Sequence, residues 1–158
     1  MREVRLGRGK MLGLITVLVL GLIIIADYDS ISWHQQMALS QAAAKGDLTV
    51  MKLLILTGVG VNTPVRGGQM PIVAASKNGQ LEAVRFLLNQ GADVNAPQKF
   101  DSALTATAKG GHTEIVRLLL SNGADVSLEG DDGTALSLAT QKGYTEIGKL
   151  LKQAGATK

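Results

Sequence analysis

Apolar residues in the second half of the chain recur at helical spacing within a set of short segments. Ile115, Val116 and Leu119, for example, fall at the intervals of one helix face. Segments of this kind occupy 81–88, 113–120 and 145–152. Shorter, alanine-rich apolar segments precede two of them, at 70–77 and 102–109. The pattern predicts a unit of helix, turn and helix, followed by an extended loop.

Two series of glycines share one period along the chain. The first series is at positions 46, 79, 111 and 143, and the second is at 58, 91, 123 and 155. The successive intervals are the same in both series, with one slightly longer step followed by two equal ones. A period in this range is typical of a stacked repeat array. The first series follows the alanine-rich segments, where glycine commonly ends a helix.

The alanine-rich segments and their turns resemble the Thr-Pro-Leu-His-x-Ala-Ala-x-x-Gly-His motif of the ankyrin repeat family. The copies lie at 37–47, 70–80, 102–112 and 134–144. A Gly-Ala-Asp-Val-Asn element at 91–95 adds specificity to the resemblance. The resemblance covers 37–158 and implies an all-α solenoid of about four helix-turn-helix repeats with short hairpin loops. The implied repeats are 37–62, 63–95, 96–127 and 128–158.

The copies depart from the family motif at positions that affect the turns, the hairpin loops and the terminal repeat. Val73, Thr105 and Ser137 replace the motif histidine, so weaker hydrogen bonds are expected in those turns. Repeats three and four are one residue shorter, and we expect the loss in the hairpin loop. In the last repeat, Gly148 and Lys152 replace apolar residues of the middle copies, which is typical of a terminal repeat facing water.

An uncharged apolar segment at 11–26 precedes the repeats, between a basic tip at 1–10 and a juncture at 27–36. As a helix of about 1.5 Å rise per residue it would span about 24 Å, against about 30 Å for a bilayer core. We predict one N-terminal apolar helix that acts as a signal anchor, with the N-terminus cytoplasmic and the repeats on the periplasmic side of a bacterial membrane.

Two other roles for the apolar segment remain open. Cleavage after Ala26 would release a soluble periplasmic or secreted protein, although Ile24 at the −3 position is not small. A buried core helix is the third possibility, disfavoured because the repeats downstream are self-sufficient. Trp33 in the juncture is either a membrane-interface anchor or a cover for the open end of the array.

Charge and composition exclude several classes of function. The net charge of +3 resides in the tip, since the rest of the chain holds twelve basic and twelve acidic residues. A nucleic-acid partner is therefore not expected. The chain has no cysteine and only two histidines, His34 and His112, so neither a metal site nor a cofactor is predicted. His112 occupies the structural Gly-His position of the family motif.

The family resemblance implies that partner recognition uses hairpin tips and the exposed surface of the first helices. The corresponding residues are Arg66, Gln69, Lys77, Asn78, Gln98, Lys99, Phe100, Asp101, Lys109, Glu129, Asp131, Asp132, Gln141 and Lys142. Phe100 is either an aromatic interface anchor or a side chain folded back onto a neighbouring hairpin. Lys45, Lys77, Lys109 and Lys142 form either a basic stripe or cations that complement helix ends, and nearby aspartates would interrupt the stripe's field.

The sequence therefore predicts a non-enzymatic module that binds a partner protein through a rigid concave surface, with a monomeric repeat domain. The alternatives are a structural subunit of a membrane assembly, acting through the N-terminal helix, and an enzyme with an unrecognised site in the groove. No nucleophile, triad or phosphate-loop context favours the enzyme.

Overall fold

The computed structural model describes residues 34–63, 69–96 and 101–157. Within it, Gln35–Lys158 form one compact unit. The predicted tip at 1–10, the apolar segment at 11–26 and the juncture up to residue 33 lie outside the described residues. No helix in the described ranges is both long and apolar enough to cross a bilayer.

The described chain is a succession of helix pairs. The first helix, α1, includes 34–45. It is followed by α2 (Leu48–Leu56), α3 (Pro71–Lys77), α4 (Leu81–Asn89), α5 (Ala103–Gly110), α6 (Thr113–Ser121), α7 (Ala135–Gln141) and α8 (Thr145–Gln153). The inner helices α3, α5 and α7 stack in chain order, and the outer helices α2, α4, α6 and α8 do the same. This arrangement confirms the helical class and the predicted helix-turn-helix unit.

Local sequence fixes where the helices begin and end. The hydroxyls of Ser102 and Thr134 accept the backbone N–H of Thr105 and Ser137, which caps α5 and α7. At the other end, Gly111 adopts a left-handed conformation with φ of 76°. A residue with a Cβ atom adopts this conformation only at a cost, which explains glycine at this turn.

In repeats three and four, hydroxyl residues supply turn hydrogen bonds at the position where the motif histidine is missing. The Thr105 hydroxyl donates to the carbonyl of Ser102 at 3.1 Å, and the Ser137 hydroxyl donates to the carbonyl of Thr134 at 2.8 Å. The expected weakening of these turns is therefore offset in repeats three and four. In repeat two, Met70 caps α3 without a side-chain hydrogen bond.

One hairpin is described between repeats three and four. Strands β1 (Glu129–Gly130) and β2 (Gly133–Thr134) are antiparallel, with Gly130 opposite Gly133. Asp131 and Asp132 form the connecting turn and are exposed.

The core consists of aliphatic side chains in thin layers between the helices. Its largest fully buried members include Leu39, Met51, Ile72, Leu87, Leu104, Ile115, Leu119, Leu138, Ile147 and Leu151. The aromatic side chains of Phe86 and Tyr144 pack against this core but are only partly buried. A composition poor in aromatics is thus sufficient for the fold because each layer is narrow.

Candidate functional site

Asparagines in two loops join successive repeats through backbone groups alone. Asn62 donates from Nδ2 to the carbonyl of Gly91 at 2.8 Å and accepts the N–H of Asp93 at 2.8 Å. One repeat later, Asn95 forms the equivalent bonds with Gly123 and Asp125, at 3.0 and 2.8 Å. These positions of the repeated motif hold the array together, so they are scaffold rather than binding surface.

A second ladder joins the repeats at the turns between inner and outer helices. Here a side chain of one repeat lies over the turn glycine of the repeat before it. The pairs are Gln80 over Gly46, His112 over Gly79 and Tyr144 over Gly111. The Nε2 atom of His112 also lies 3.3 Å from the carbonyl oxygen of Lys77, within hydrogen-bonding distance. His112 therefore has a structural position between two repeats.

Three lysines lie near the C-terminal ends of the inner helices, with Lys77 and Lys109 at equivalent positions and Lys142 one residue later in its repeat. Lys77 lies in the last turn of α3, Lys109 in the last turn of α5, and Lys142 at the C-cap of α7. All three side chains are exposed. These positions suit both a basic stripe and cations that complement helix ends, since each lysine lies at a helix C-terminus and is exposed to solvent.

Lys109 forms an ion pair with Asp132 in the turn of the next repeat. The hydrogen bond from Lys109 and its positive charge hold the pKa of Asp132 below the usual value. The same bond, aided by the charges of Asp101 and Asp132, raises the pKa of Lys109. The acidic residue Asp132 in the hairpin turn therefore interrupts the basic stripe, as predicted.

Asp101 is not an exposed tip residue, contrary to the expectation for a loop. The residue is 9% exposed, and its Oδ1 atom is buried without a hydrogen-bond partner. It lies against Gly130, where a Cβ atom would clash with that oxygen. The absence of a side chain at Gly130 thus lets the next hairpin close over Asp101, which removes this residue from the exposed surface.

The other candidates are exposed, partly buried, hydrogen-bonded within their own helix, or outside the described residues. Glu129, Asp131 and Gln141 are exposed, whereas Gln69 is partly buried. Asn78 is exposed, but its side chain donates to the carbonyl of Ala74 at 2.8 Å. Arg66, Gln98, Lys99 and Phe100 lie outside the described residues. Among the candidates, Lys109 and Asp132 are thus the pair that the structure brings together.

Sequence reasoning missed a charged bridge on the outer helices. Arg117 donates to Glu146 of the next repeat at 2.6 Å and lies 3.6 Å from Glu114. The recurring Glu-x-x-Arg or Glu-x-x-Lys pattern in these helices was the available signal. It indicates pairing within a helix but does not predict the bond to the next repeat.

A shallow cavity of about 300 Å³ lies at the C-terminal end of the array. Its lining includes Thr140, Tyr144, Lys149 and Lys152. It holds no carboxylate or histidine that could act as a general base beside a nucleophile. Across the described ranges, no three histidine, aspartate or glutamate side chains are grouped to hold a metal ion.

A family model described as ankyrin repeats (3 copies) matches residues 12–98 and 96–158. The chain belongs to the ankyrin repeat family. No curated protein matches it. The first ankyrin match begins inside the apolar segment, well ahead of the described helix α1. Ankyrin repeats typically form non-enzymatic interaction modules, and a protein partner is what membership of the family indicates.

Proposed function

We propose that this chain is a non-enzymatic module that recognises one partner protein through the edge formed by its inner-helix ends and hairpin tips. One observation carries the proposal: side chains in the loops and turns between helices are engaged in contacts between repeats, whereas side chains at the inner-helix ends and the hairpin tip are exposed. Asn95 and His112 are examples of the first kind. Lys142 and Asp131 are examples of the second.

Rigidity favours binding by such an edge. Hydrogen bonds from the side chains of one repeat to the backbone of the next hold the helix pairs in place. The pairs therefore lose little conformational entropy when a partner docks, and more of the contact energy remains as affinity. The edge carries charges of both signs, with Lys77 and Lys142 flanking the Lys109–Asp132 pair. We therefore expect a partner surface of mixed charge, whose complementarity sets specificity and association rate more than affinity.

Co-purification of the partner with the full-length chain tests the proposal. The edge variant combines Asp131→Lys with Lys142→Glu, and the control Lys149→Glu makes the same lysine-to-glutamate change on the exposed surface of α8. We expect the edge variant to lose the partner and the control to retain it. Equal recovery by both would refute the proposed edge. A second variant, Phe100→Ala with Lys99→Glu, probes the neighbouring tip in the same assay.

Placement at a membrane is a second candidate role, favoured by the uncharged run at 11–26 after four basic residues. On this proposal the segment either anchors the chain, with the repeats beyond the membrane, or is cleaved during export. Resistance to alkaline extraction would support the anchor, and N-terminal sequencing of the mature protein would detect cleavage. If a fusion of 1–35 to an unrelated domain kept the activity, the protein would instead be a structural membrane subunit.

A further inference from the structure

The turn glycine of repeat four lacks the covering side chain that the earlier turn glycines receive. At Gly111, an added Cβ atom would lie 2.7 Å from Cζ of Tyr144, which belongs to the next repeat. Gly143 is the equivalent residue of repeat four. Apart from its chain neighbours, no described residue has an atom within 4 Å of the Cβ position at Gly143. The place of a covering ring is therefore open in the described part of the chain.

The charge on the same face is also unmatched. In repeat three, Arg117 donates to Glu146 of the next repeat at 2.6 Å. Lys149 takes the position of Arg117 in repeat four, and it is exposed. None of the ion pairs among the described residues includes Lys149. Lys152 adds a second exposed cation, at a position where Leu120 packs against the core in repeat three. The outer helix α8 is therefore more basic than α6 and favours an acidic occupant.

Gly148 opens a cleft on this face. The equivalent residues Val84 and Val116 are fully buried. A Cβ atom at Gly148 would meet its nearest neighbour only at 4.0 Å, so the space that valine fills elsewhere is left between α7 and α8. The cavity of about 300 Å³ has Gly143 and Gly148 in its lining, with the two lysines and no acidic residue. Its volume is at the lower limit for small-molecule pockets, and it suits one inserted aromatic side chain.

We propose that this cleft docks a helix of a partner protein, one that begins with an aromatic residue and carries a glutamate two positions later. The aromatic ring lies over Gly143, and the carboxylate pairs with Lys149. Tyr144 and Glu146 make the same two contacts with repeat three. The site goes beyond the edge proposed above, because no residue of the edge variant lines the cavity.

An NMR titration of the nitrogen-15-labelled full-length chain tests the proposal. The probe is a peptide of residues 143–153, which holds the tyrosine and the glutamate that contact repeat three. We expect the amide signals of Gly143 and Gly148 to shift, and a control peptide with Tyr144→Ala and Glu146→Gln to leave them in place. In the chain, Gly148→Val should fill the cleft, keep Tm at or above that of the parent and abolish the shifts. Absence of shifts with the parent peptide, or shifts that survive Gly148→Val, would overturn the proposal.

Charge reversal separates a specific pair from general attraction to a basic surface. Lys149→Glu should weaken binding of the parent peptide severalfold, and a peptide with Glu146→Lys should bind this variant more tightly than the parent chain. Lys52→Glu is the matched control, because Lys52 is exposed at the equivalent position of α2. Equal weakening by Lys52→Glu and Lys149→Glu would overturn the pairing.

Two further outcomes distinguish this site from its alternatives. Shifts at Gly143 and Gly148 that depend on protein concentration, without peptide, would assign the cleft to a second copy of the chain and overturn the proposal. The partner of the edge should still bind the Lys149→Glu variant. The failure of one proposal is therefore distinguishable from the failure of the other.

Discussion

Asn95 holds Asp125 of the next repeat by its backbone, accepting the Asp125 N–H at 2.8 Å through the side-chain oxygen. The amide nitrogen of the same side chain donates to the carbonyl of Gly123. One short side chain thus satisfies a donor and an acceptor of a neighbouring loop, which fixes the spacing of the two repeats.

Replacing Asn95 by alanine should destabilise the array. Each hydrogen bond contributes about 1 kcal/mol net, so Asn95→Ala should lower the free energy of unfolding by about 1–2 kcal/mol in urea titrations. Asn89→Ala is the matched control, because Asn89 is an exposed helical residue and alanine favours a helix. A loss of stability in Asn89→Ala equal to that in Asn95→Ala would contradict the bridging role.

The asparagine ladder stops at Ser127, which offers a site for stabilisation. Ser127 aligns with Asn95 but bonds within its own loop, to the carboxylate of Asp125 at 2.6 Å. An asparagine there should reach the carbonyl of Gly155 and the N–H of Thr157, which align with the partners of Asn95. We expect Ser127→Asn to raise the free energy of unfolding by about 1 kcal/mol. Ser127→Ala should not, and a gain in both would point to another cause.

The ring of His112 disfavours a side chain at Gly79 for steric as well as conformational reasons. Gly79 has φ of +70°, and a Cβ atom there would lie 2.6 Å from Cε1 of His112. Gly143 has φ of +74° with no atom near its own Cβ position. Gly143→Ala should therefore cost only the left-handed penalty of about 1–2 kcal/mol, and Gly79→Ala should cost clearly more by chemical denaturation. Equal costs would show that the ring moves aside freely.

The Lys109–Asp132 pair should be visible in the titration of the folded protein. Because the pKa of Asp132 is lowered in the fold, the pair's stabilisation is present above the unfolded aspartate pKa and fades as pH falls through the folded value. For Lys109 the pKa is raised, so stabilisation is lost as pH rises through its folded value. Lys109→Gln should return the pKa of Asp132 toward 3.8 in carboxyl-carbon NMR. Lys77→Gln should leave it unchanged, and the opposite pattern would refute the pairing.

The helices were predictable because the turn glycines and the helical spacing of apolar residues indicate the same helix boundaries in each repeat. The segment 113–120, for example, became Thr113–Ser121, beginning shortly after a left-handed glycine at 111. The burial of Asp101 was not predictable, because it depends on Gly130, which belongs to the next repeat and is brought close only by stacking. The bond between Arg117 and Glu146 has the same origin. Interactions between repeats follow from the stacking geometry, which a pattern within one repeat does not contain.

The two inter-repeat ladders use contacts that do not depend on the side chains of the neighbouring repeat. The asparagines contact only main-chain atoms, and the turn glycines accept an amide, an imidazole or a phenol ring without change. A repeat that is duplicated, deleted or exchanged by recombination would meet the same backbone at either boundary. Within these two ladders, a change in the number of repeats would therefore need no compensating substitution, which makes the same boundaries suitable for designed grafts.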